Sequence, residues 1–258
     1  MKTFKRVLLV LFCLYVIVCM GLYFIQDSII FDAHLLDEDH RFRSGEELKI
    51  PVANNISLST YHLPIDNPKG VILYFHGNRG NIRRCIRQIE RFAPADYELY
   101  MPDYRGYGKS DGLISNEKDF LQDAQKIYDY IKSRHPENQI SIVGYSLGTG
   151  PATYISANNT PQELILVAPF ISFVDLKNRW TSLIPNFLLK YKLNNRKHIL
   201  ESTCPITILH GTEDEVIPYD SSESLEALDP ERIDLITLQG EGHRGAIFNG
   251  NIRTSIIQ

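Results

Sequence analysis

The stretch "IVGYSLGTG", residues 142–150, places a serine between two glycines directly after an apolar run. Its G-x-S-x-G pattern occurs by chance in roughly one chain of this length in ten, because Gly and Ser each make up ~7% of ordinary sequences. The sequence on either side of the motif is more specific than the motif itself, since a strand-like run precedes Ser146 and a helix-forming stretch follows it. Strand, sharp turn and helix in this order expose a nucleophile at the end of the strand. The sequence therefore predicts that Ser146 is a nucleophile rather than one more serine in a glycine-rich turn.

The alternation of strand and helix continues along the rest of the chain. Apolar runs rich in β-branched and aromatic residues indicate buried strands at 71–77, 99–104, 140–146, 164–170, 206–211 and 234–240. Helix-length amphipathic stretches lie at about 80–93, 116–134, 147–158 and 219–229. This order predicts an α/β fold with a mostly parallel central sheet and helices on both faces. Residues 48–64 add an antiparallel pair at the start of the sheet.

The interval between Phe170 and Ile206 is longer than a single crossover helix needs. It contains several large apolar residues, with Trp180 among them. Long segments of this kind in compact domains are often functional, so a short lid is predicted over about residues 171–204. One crossover helix followed by an irregular loop is the alternative.

A serine hydroxyl needs a base to remove its proton and an acid to orient that base. His243, in "LQGEGHRG", follows the last predicted strand and is the candidate base. The loop "LHGTEDEVIP", residues 209–218, offers Glu213, Asp214 and Glu215 as the acid, and Asp220 follows shortly after. The order serine, acid, histidine is the order of hydrolases whose serine turn comes first.

Five motifs together resemble one known family. They are "YFHGNRGN" (74–81), "PDYRGYGKSDG" (102–112), "VGYSLGTG" (143–150), "LHGTEDEVIP" (209–218) and "GEGHRG" (240–245). In this order they resemble the α/β-hydrolase superfamily over roughly residues 20–250. The most similar group is its membrane-anchored serine hydrolase branch, which resembles the catalytic domains of prolyl oligopeptidases.

The resemblance implies a role for each matching residue. Ser146 corresponds to the nucleophile, Asp214 to the acid and His243 to the base, with Glu213 or Asp220 left open as the acid. The oxyanion hole would use the backbone N–H groups of Asn78 and Leu147. Five further residues would shape the wall of the site: His76, Gly77, Asp103, Arg105 and Tyr145. By position alone, His76 and His210 are more typical of structural histidines that close apolar strands.

The first thirty residues differ from the rest. Val7 to Ile25 is a run without charge, about the length that spans ~30 Å of hydrocarbon as a helix. We therefore predict a membrane anchor over residues 1–27 and one catalytic domain over residues 28–258. Basic residues precede the run and acidic residues follow it, which predicts a cytoplasmic N-terminus and a domain on the periplasmic or extracytoplasmic side. A cleaved signal peptide and a buried core helix are the alternatives.

Composition narrows the function classes. Hydrophobic residues make up 43% of the 258 residues, charged residues 22%, and the net charge is −4, so nucleic-acid binding is not expected. No C-x-x-C pair is present, so a zinc site or a thioredoxin-like redox motif has no support. Acyl transfer through a serine, a histidine and an acid needs neither a metal nor an organic cofactor, so none is expected. Cys85 and Cys204 could be free thiols or a disulfide. A monomer is expected.

The sequence predicts a serine hydrolase that cleaves carboxylic ester or thioester bonds. Its partners would be the membrane and a small-molecule or acylated, lipid-like substrate. A serine peptidase or aminopeptidase-like hydrolase is the alternative enzyme. A non-catalytic, membrane-tethered binding protein on a hydrolase scaffold is the alternative from another class.

Overall fold

The computed structural model describes residues 2–257. Within that range eight strands form the main sheet: β1 Glu46–Ala53, β2 Ile56–Leu63, β3 Gly70–Phe75, β4 Tyr97–Pro102, β5 Ile140–Tyr145, β6 Glu163–Val167, β7 Ile206–Gly211 and β8 Ile233–Leu238. The α-helices of the same range are α1 Lys2–Ile30, α2 Ile82–Phe92, α3 Glu117–Lys132, α4 Thr149–Asn158, α5 Phe173–Trp180, α6 Asn195–Glu201, α7 Asp220–Glu226, α8 His243–Ala246 and α9 Asn251–Ile257. The α/β fold predicted from the alternation is confirmed.

The strands lie in the order β1-β2-β4-β3-β5-β6-β7-β8. β1 and β2 pair antiparallel, as predicted, and β2 joins β4 antiparallel, while the remaining neighbours are parallel. In a parallel sheet all carboxyl ends lie at one edge, where open α/β folds place their sites. The loops after β3, β5, β7 and β8 therefore meet at one edge, and these loops carry the predicted site residues.

Each face of the sheet is covered by its own apolar cluster. Along β3 the side chains alternate, with Val71, Leu73 and Phe75 in one cluster and Ile72 and Tyr74 in the other. Because both faces are buried, the strand has a continuous apolar sequence instead of an alternating one.

Helix α3 illustrates how the flanking helices form. Asn116 caps it by accepting a hydrogen bond from the Asp119 N–H at 2.9 Å, which satisfies one of the amides that a helix start leaves free. The apolar stripe expected from the sequence is buried against the sheet: Phe120, Ala124, Ile127 and Ile131.

Helix α1 is long and apolar enough to cross a membrane. Its 29 residues include an 18-residue window of mean hydropathy 2.8, of which 6% is buried inside the protein. The alternative of a buried core helix does not fit this exposure. At its end, Phe31 packs edge to face against Phe120 and Tyr191 and joins the helix to the domain.

The interval after β6 contains both structures that the sequence left open, a segment over the site and a crossover helix. Residues 171–194 contain α5 and a turn at Asn186–Leu188, and several of their side chains lie over the carboxyl edge of the sheet. Residues 195–204 contain α6, which packs on α4 and leads into β7 as an ordinary crossover helix. We use the name lid for residues 171–194, which are part of the segment 171–204 that the sequence predicts as a lid.

Cys85 and Cys204 are both buried free thiols. They belong to the two different apolar clusters, on opposite faces of the sheet. A disulfide needs Cα atoms within about 7 Å, and the sheet lies between these two residues. Cys204 instead contacts the hydroxyls of Ser156 and Ser202.

Candidate active site

Ser146 stands on a tight turn between β5 and α4. The backbone φ angle of Ser146, 51°, lies in the left-handed region. This conformation is strained, and residues other than Gly rarely adopt it. The flanking glycines allow the turn to close. A Cβ on Gly144 would lie 2.7 Å from Ala152 Cβ, and one on Gly148 would lie 2.1 Å from the Phe75 carbonyl oxygen. Only glycine fits where the turn crosses the neighbouring strand.

His243 reaches this serine from the loop after β8. It begins the short helix α8, and its Nε2 lies 3.0 Å from Ser146 Oγ. The hydroxyl of Tyr145 donates to the His243 carbonyl at 3.1 Å, and the two rings lie 5.4 Å apart. The neighbour of the serine thus supports the backbone of the histidine.

Asp214, in the loop after β7, is the third residue of this hydrogen-bonded group. Its Oδ2 lies 2.7 Å from His243 Nδ1, and its Oδ1 accepts the N–H groups of Val216 and Ile217 at 2.8 and 2.7 Å. Of the acids left open by the sequence, Glu213 is exposed and Asp220 pairs with Arg179 in the lid. Asp214 is the acid that the structure brings to His243.

The environment of Asp214 keeps it ionised. Burial opposes the charge, but hydrogen bonds from His210, His243 and the Ile217 amide outweigh it and hold the pKa of Asp214 well below its usual value. An ionised carboxylate only accepts hydrogen bonds, so the proton of the His243 ring is on Nδ1. The lone pair of Nε2 then faces the Ser146 hydroxyl, the arrangement that a general base needs.

His210, which by sequence position is typical of a structural histidine, contacts the acid of the site. Its Nε2 lies 3.1 Å from Asp214 Oδ2 and 3.0 Å from the Ile217 carbonyl oxygen, and its Nδ1 lies 2.6 Å from Ser222 Oγ. The ring is fully buried. Its position four residues before Asp214 in the H-G-x-x-D pattern was the available signal.

The two predicted oxyanion amides border the same space. Leu147 lies in the first turn after Ser146, where N–H groups have no acceptor within the helix. Among the residues that the structure describes, none accepts a hydrogen bond from the Asn78 N–H. A Cβ placed on Gly77 would lie 3.6 Å from Ser146 Cβ, so the loop after β3 passes directly beside the serine.

The remaining predicted wall residues lie in two different places. Gly77 and Tyr145 line the cavity beside Ser146. His76 and Asp103 lie behind it, fully buried with 3.3 Å between Nε2 and Oδ1, and Asp103 also accepts the Ile82 N–H at the start of α2. Both support the loop that carries Asn78.

Arg105 is not brought to the cavity. Its guanidinium makes two hydrogen bonds to Asp123 on α3, from Nε at 2.6 Å and from Nη2 at 2.7 Å. The side chains of Arg105 and Asp123 are both largely buried. Arg105 therefore joins the loop after β4 to α3 and does not shape the wall of the site.

Ser146 and His243 open onto a cavity of about 1240 Å³. One side of its wall is apolar and comes from the lid, the loop after β7 and the second half of α1. These apolar wall residues include Leu22, Ile29, Ile30, Phe170, Phe173, Leu176, Trp180, Ile184, Leu188, Leu189, Val216 and Ile217. A membrane-length helix therefore forms part of the wall.

The wall that α2 and α8 contribute to the cavity is cationic. The basic side chains among the described residues that line the cavity are Arg79, Arg84, Arg87, Arg91 and Arg244, with Lys177 added from the lid helix α5. The acidic one, Asp32, pairs with Arg79 at 3.0 Å. Three of these arginines, Arg84, Arg87 and Arg91, project from α2 toward the cavity. Within the described part of the chain, no group of three or more His, Cys, Asp or Glu side chains could hold a metal ion.

A family model described as serine aminopeptidase, S33 (Hydrolase_4) matches residues 66–199, just over half of the chain. The chain belongs to this family and to the α/β-hydrolase superfamily. The predicted superfamily is confirmed, whereas nothing singles out the prolyl-oligopeptidase-like branch within it.

Two curated relatives are similar to this hydrolase in sequence. Lysophosphatidylserine lipase ABHD12 of Macaca fascicularis is 30% identical in an alignment 190 residues long, which covers 65% of this chain and 47% of the relative. The uncharacterized protein YfhR of Salmonella typhimurium is 30% identical in an alignment 181 residues long, which covers 63% of this chain and 60% of the relative. The match to the lipase thus spans about half of that relative's length.

The fold is shared with solved structures of lower identity. Est1E from Butyrivibrio proteoclasticus, solved with bound ferulic acid, has a TM-score of 0.65 and 19% identity to this hydrolase. The likeness covers 81% of this chain and 95% of Est1E. At this level of identity the comparison establishes the fold.

Proposed function

We propose that this hydrolase cleaves carboxylic ester or thioester bonds of lipid-like or acylated substrates through Ser146, His243 and Asp214. One observation carries the proposal. The three side chains lie on one hydrogen-bonded line, with 3.0 Å from serine to histidine and 2.7 Å from histidine to carboxylate, and the serine opens onto a partly apolar cavity.

The chemistry proceeds in two halves. His243 Nε2 takes the Ser146 proton while Oγ bonds to the acyl carbon, and the negative charge on the carbonyl oxygen is stabilised by the amides of Leu147 and Asn78. Collapse breaks the bond to the leaving alcohol or thiol, which receives the proton from His243. Water then attacks the acyl-enzyme by the same route and releases a carboxylic acid. Ionised Asp214 stabilises the imidazolium formed in each half.

The two sides of the cavity favour one substrate class, single-chain esters with an anionic headgroup. An acyl chain fits the apolar side, and the arginines of α2 with Arg244 suit a phosphate or carboxylate. The relative named as a lysophosphatidylserine lipase supports this choice, because the lipid in its name has both features.

Aminopeptidase activity is the second candidate, favoured by the description of the family model. An aminopeptidase must bind a cationic amino terminus close to its nucleophile. The cavity presents six described basic side chains and one acidic side chain, which is already paired with Arg79. Like charges repel in such a site, so the ester proposal is preferred.

We also infer that α1 anchors the domain to a membrane. Its length and hydropathy support this, and basic residues before the apolar run favour a cytoplasmic N-terminus with the catalytic domain on the other side. An anchored domain would meet lipid substrates at their source.

The first test is labelling of the full chain with a fluorophosphonate probe. Wild type should be labelled, while Ser146→Ala and His243→Ala should not, because the probe reacts with an activated serine. The exposed Ser133→Ala variant is the matched control and should be labelled like wild type. Esters of p-nitrophenol with increasing chain length then report the acyl preference. If the folded wild type stays unlabelled, the hydrolase proposal fails in favour of a non-catalytic binding protein.

A further inference from the structure

The outer part of the lid is an uncharged strip of ten residues. We use the name lid strip for Trp180–Leu189, "WTSLIPNFLL", which lies between the basic residues Arg179 and Lys190. Three of its large apolar side chains are mostly exposed, with relative accessibilities of 82% for Trp180, 76% for Leu183 and 78% for Phe187. Its other face, including Ile184 and Leu188, lines the catalytic cavity, which the exposed Trp180 also borders.

The lid strip is hydrogen-bonded to α1 at two levels. The Tyr15 hydroxyl donates to the Leu183 carbonyl at 2.7 Å. Further along the helix, the buried Gln26 side chain donates to the Leu188 carbonyl at 3.0 Å and accepts the Lys190 N–H at 2.8 Å. The strip therefore lies alongside the helix rather than projecting away from it.

These two levels are far apart along the helix. Tyr15 and Gln26 are separated by about 16 Å at the helical rise of 1.5 Å per residue. Tyr15 lies near the middle of the uncharged run Val7–Ile25. When this run spans a bilayer, the Leu183 backbone lies at hydrocarbon depth beside α1, where the tyrosine hydroxyl supplies a hydrogen-bond partner for its carbonyl.

The charges at the ends of the strip fit the same placement. Lys190 forms an ion pair with Asp27 at 2.6 Å, just beyond the apolar run, and Arg179 pairs with Asp220 of the domain. Arg179 and Lys190 flank the strip, where headgroups and water would begin, and no charged residue lies within it. The Lys177 ammonium reaches the strip from the cavity side, where it donates to the Ile184 carbonyl at 2.7 Å. In water, by contrast, the strip and the adjacent face of α1 would expose a continuous apolar patch of a kind that soluble monomers rarely carry.

We propose that the lid strip is inserted in the hydrocarbon of the leaflet next to the domain, beside α1. The cavity between them then opens sideways to the acyl chains of that leaflet, with Cys19, Leu22 and Tyr23 of the helix as one wall. A lipid substrate enters the site without leaving the membrane. This goes beyond the proposed function, since it concerns the position of the lid and holds whatever bond the site cleaves.

The chain contains one tryptophan, Trp180, so its emission reports the lid strip alone. The full chain is reconstituted in phosphatidylcholine vesicles and in vesicles of the same lipid brominated on its acyl chains, since bromine quenches an indole that touches it. We expect Trp180 to lose most of its emission in the brominated vesicles and to emit at the short wavelengths of an apolar environment in both.

A matched control carries Trp180→Phe with Leu200→Trp. Leu200 is exposed on α6, close to the amino ends of the strands and thus on the edge of the sheet away from the site. Its emission should be the same in both vesicles. Alkaline extraction of the same samples shows whether α1 holds the chain in the membrane. Unquenched Trp180 in chains that resist extraction, or chains that extraction removes, would overturn the proposal. Fluorophosphonate labelling of the samples reports the proposed hydrolase chemistry separately.

Discussion

At the scale of single residues, Asp214 joins more of the site than any sequence pattern indicates. It contacts His243, His210 and two backbone amides of its own loop. Asp214→Asn should lower kcat for ester hydrolysis by about 10⁴-fold, the cost of the equivalent change in serine proteases, because the wrong histidine tautomer is then favoured. Glu213→Gln is the matched control, since that side chain is exposed, and should leave kcat unchanged. Equal losses in both variants would remove Asp214 from its proposed role.

The same carboxylate predicts a pH dependence of stability. Its pKa is lowered in the folded protein from an unfolded value of about 3.9, so its contribution to folding is complete above that value and is lost as the pH falls through the folded pKa. The difference in Tm between wild type and Asp214→Asn should therefore be largest near neutral pH and shrink below about pH 4. Thermal unfolding across this range measures it. A difference that stays constant would show that Asp214 stabilises the fold by packing alone.

Arg105 is a residue whose position separates stability from catalysis. Arg105→Ala leaves the largely buried Asp123 carboxylate without its two hydrogen bonds, which should cost about 3–5 kcal/mol in urea unfolding. Because Arg105 does not line the cavity, KM of the folded variant should not change. The double variant Arg105→Ala/Asp123→Ala should be more stable than the sum of the two single losses predicts. Strict additivity would mean that the pair is not coupled.

At the scale of elements, the turn from β5 to α4 depends on close backbone approach. In Gly148→Ala the new Cβ would lie 2.1 Å from the Phe75 carbonyl oxygen, so strand or turn must shift. We expect a loss of at least about 1–3 kcal/mol of unfolding free energy, with a loss of probe labelling because Ser146 and the Leu147 amide move. Gly250→Ala is the control, since no described atom lies within 4 Å of its new Cβ. If Gly148→Ala is as stable and as reactive as Gly250→Ala, the tight crossing is not needed.

At the scale of the whole molecule, four separate regions build one cavity. The lid and α1 supply most of its apolar wall, and α2 with the loop after β8 supplies most of its cations. The double variant Arg87→Glu/Arg91→Glu should raise KM for anionic lysophospholipids while kcat/KM for a neutral p-nitrophenyl ester stays near the wild-type value, because only the headgroup contact changes. Hydrolysis of the two substrates side by side measures this selectivity. An equal effect on both substrates would exclude a headgroup role for α2.

Much of this architecture could be predicted from the sequence. The apolar runs end where the strands end to within three residues, because a strand buried on both faces must be apolar throughout. The stripe Phe120, Ala124, Ile127 and Ile131 faced the sheet as its helical spacing requires. The predicted lid, 171–204, includes α6, whose packing on α4 is a tertiary contact that the sequence does not show.

The sequence by itself determined the fold and the chemistry available to it. Three features can be read directly from the sequence. They are the spacing of the strands, the glycines at 144 and 148, and the order of serine, acid and histidine. Tertiary structure alone decided which acid faces His243, that His210 supports it, that Arg105 faces α3 and that α1 closes the cavity. Each of these depends on contacts between residues far apart in sequence. Such contacts are fixed by the packing of whole elements, which no single stretch of the chain specifies.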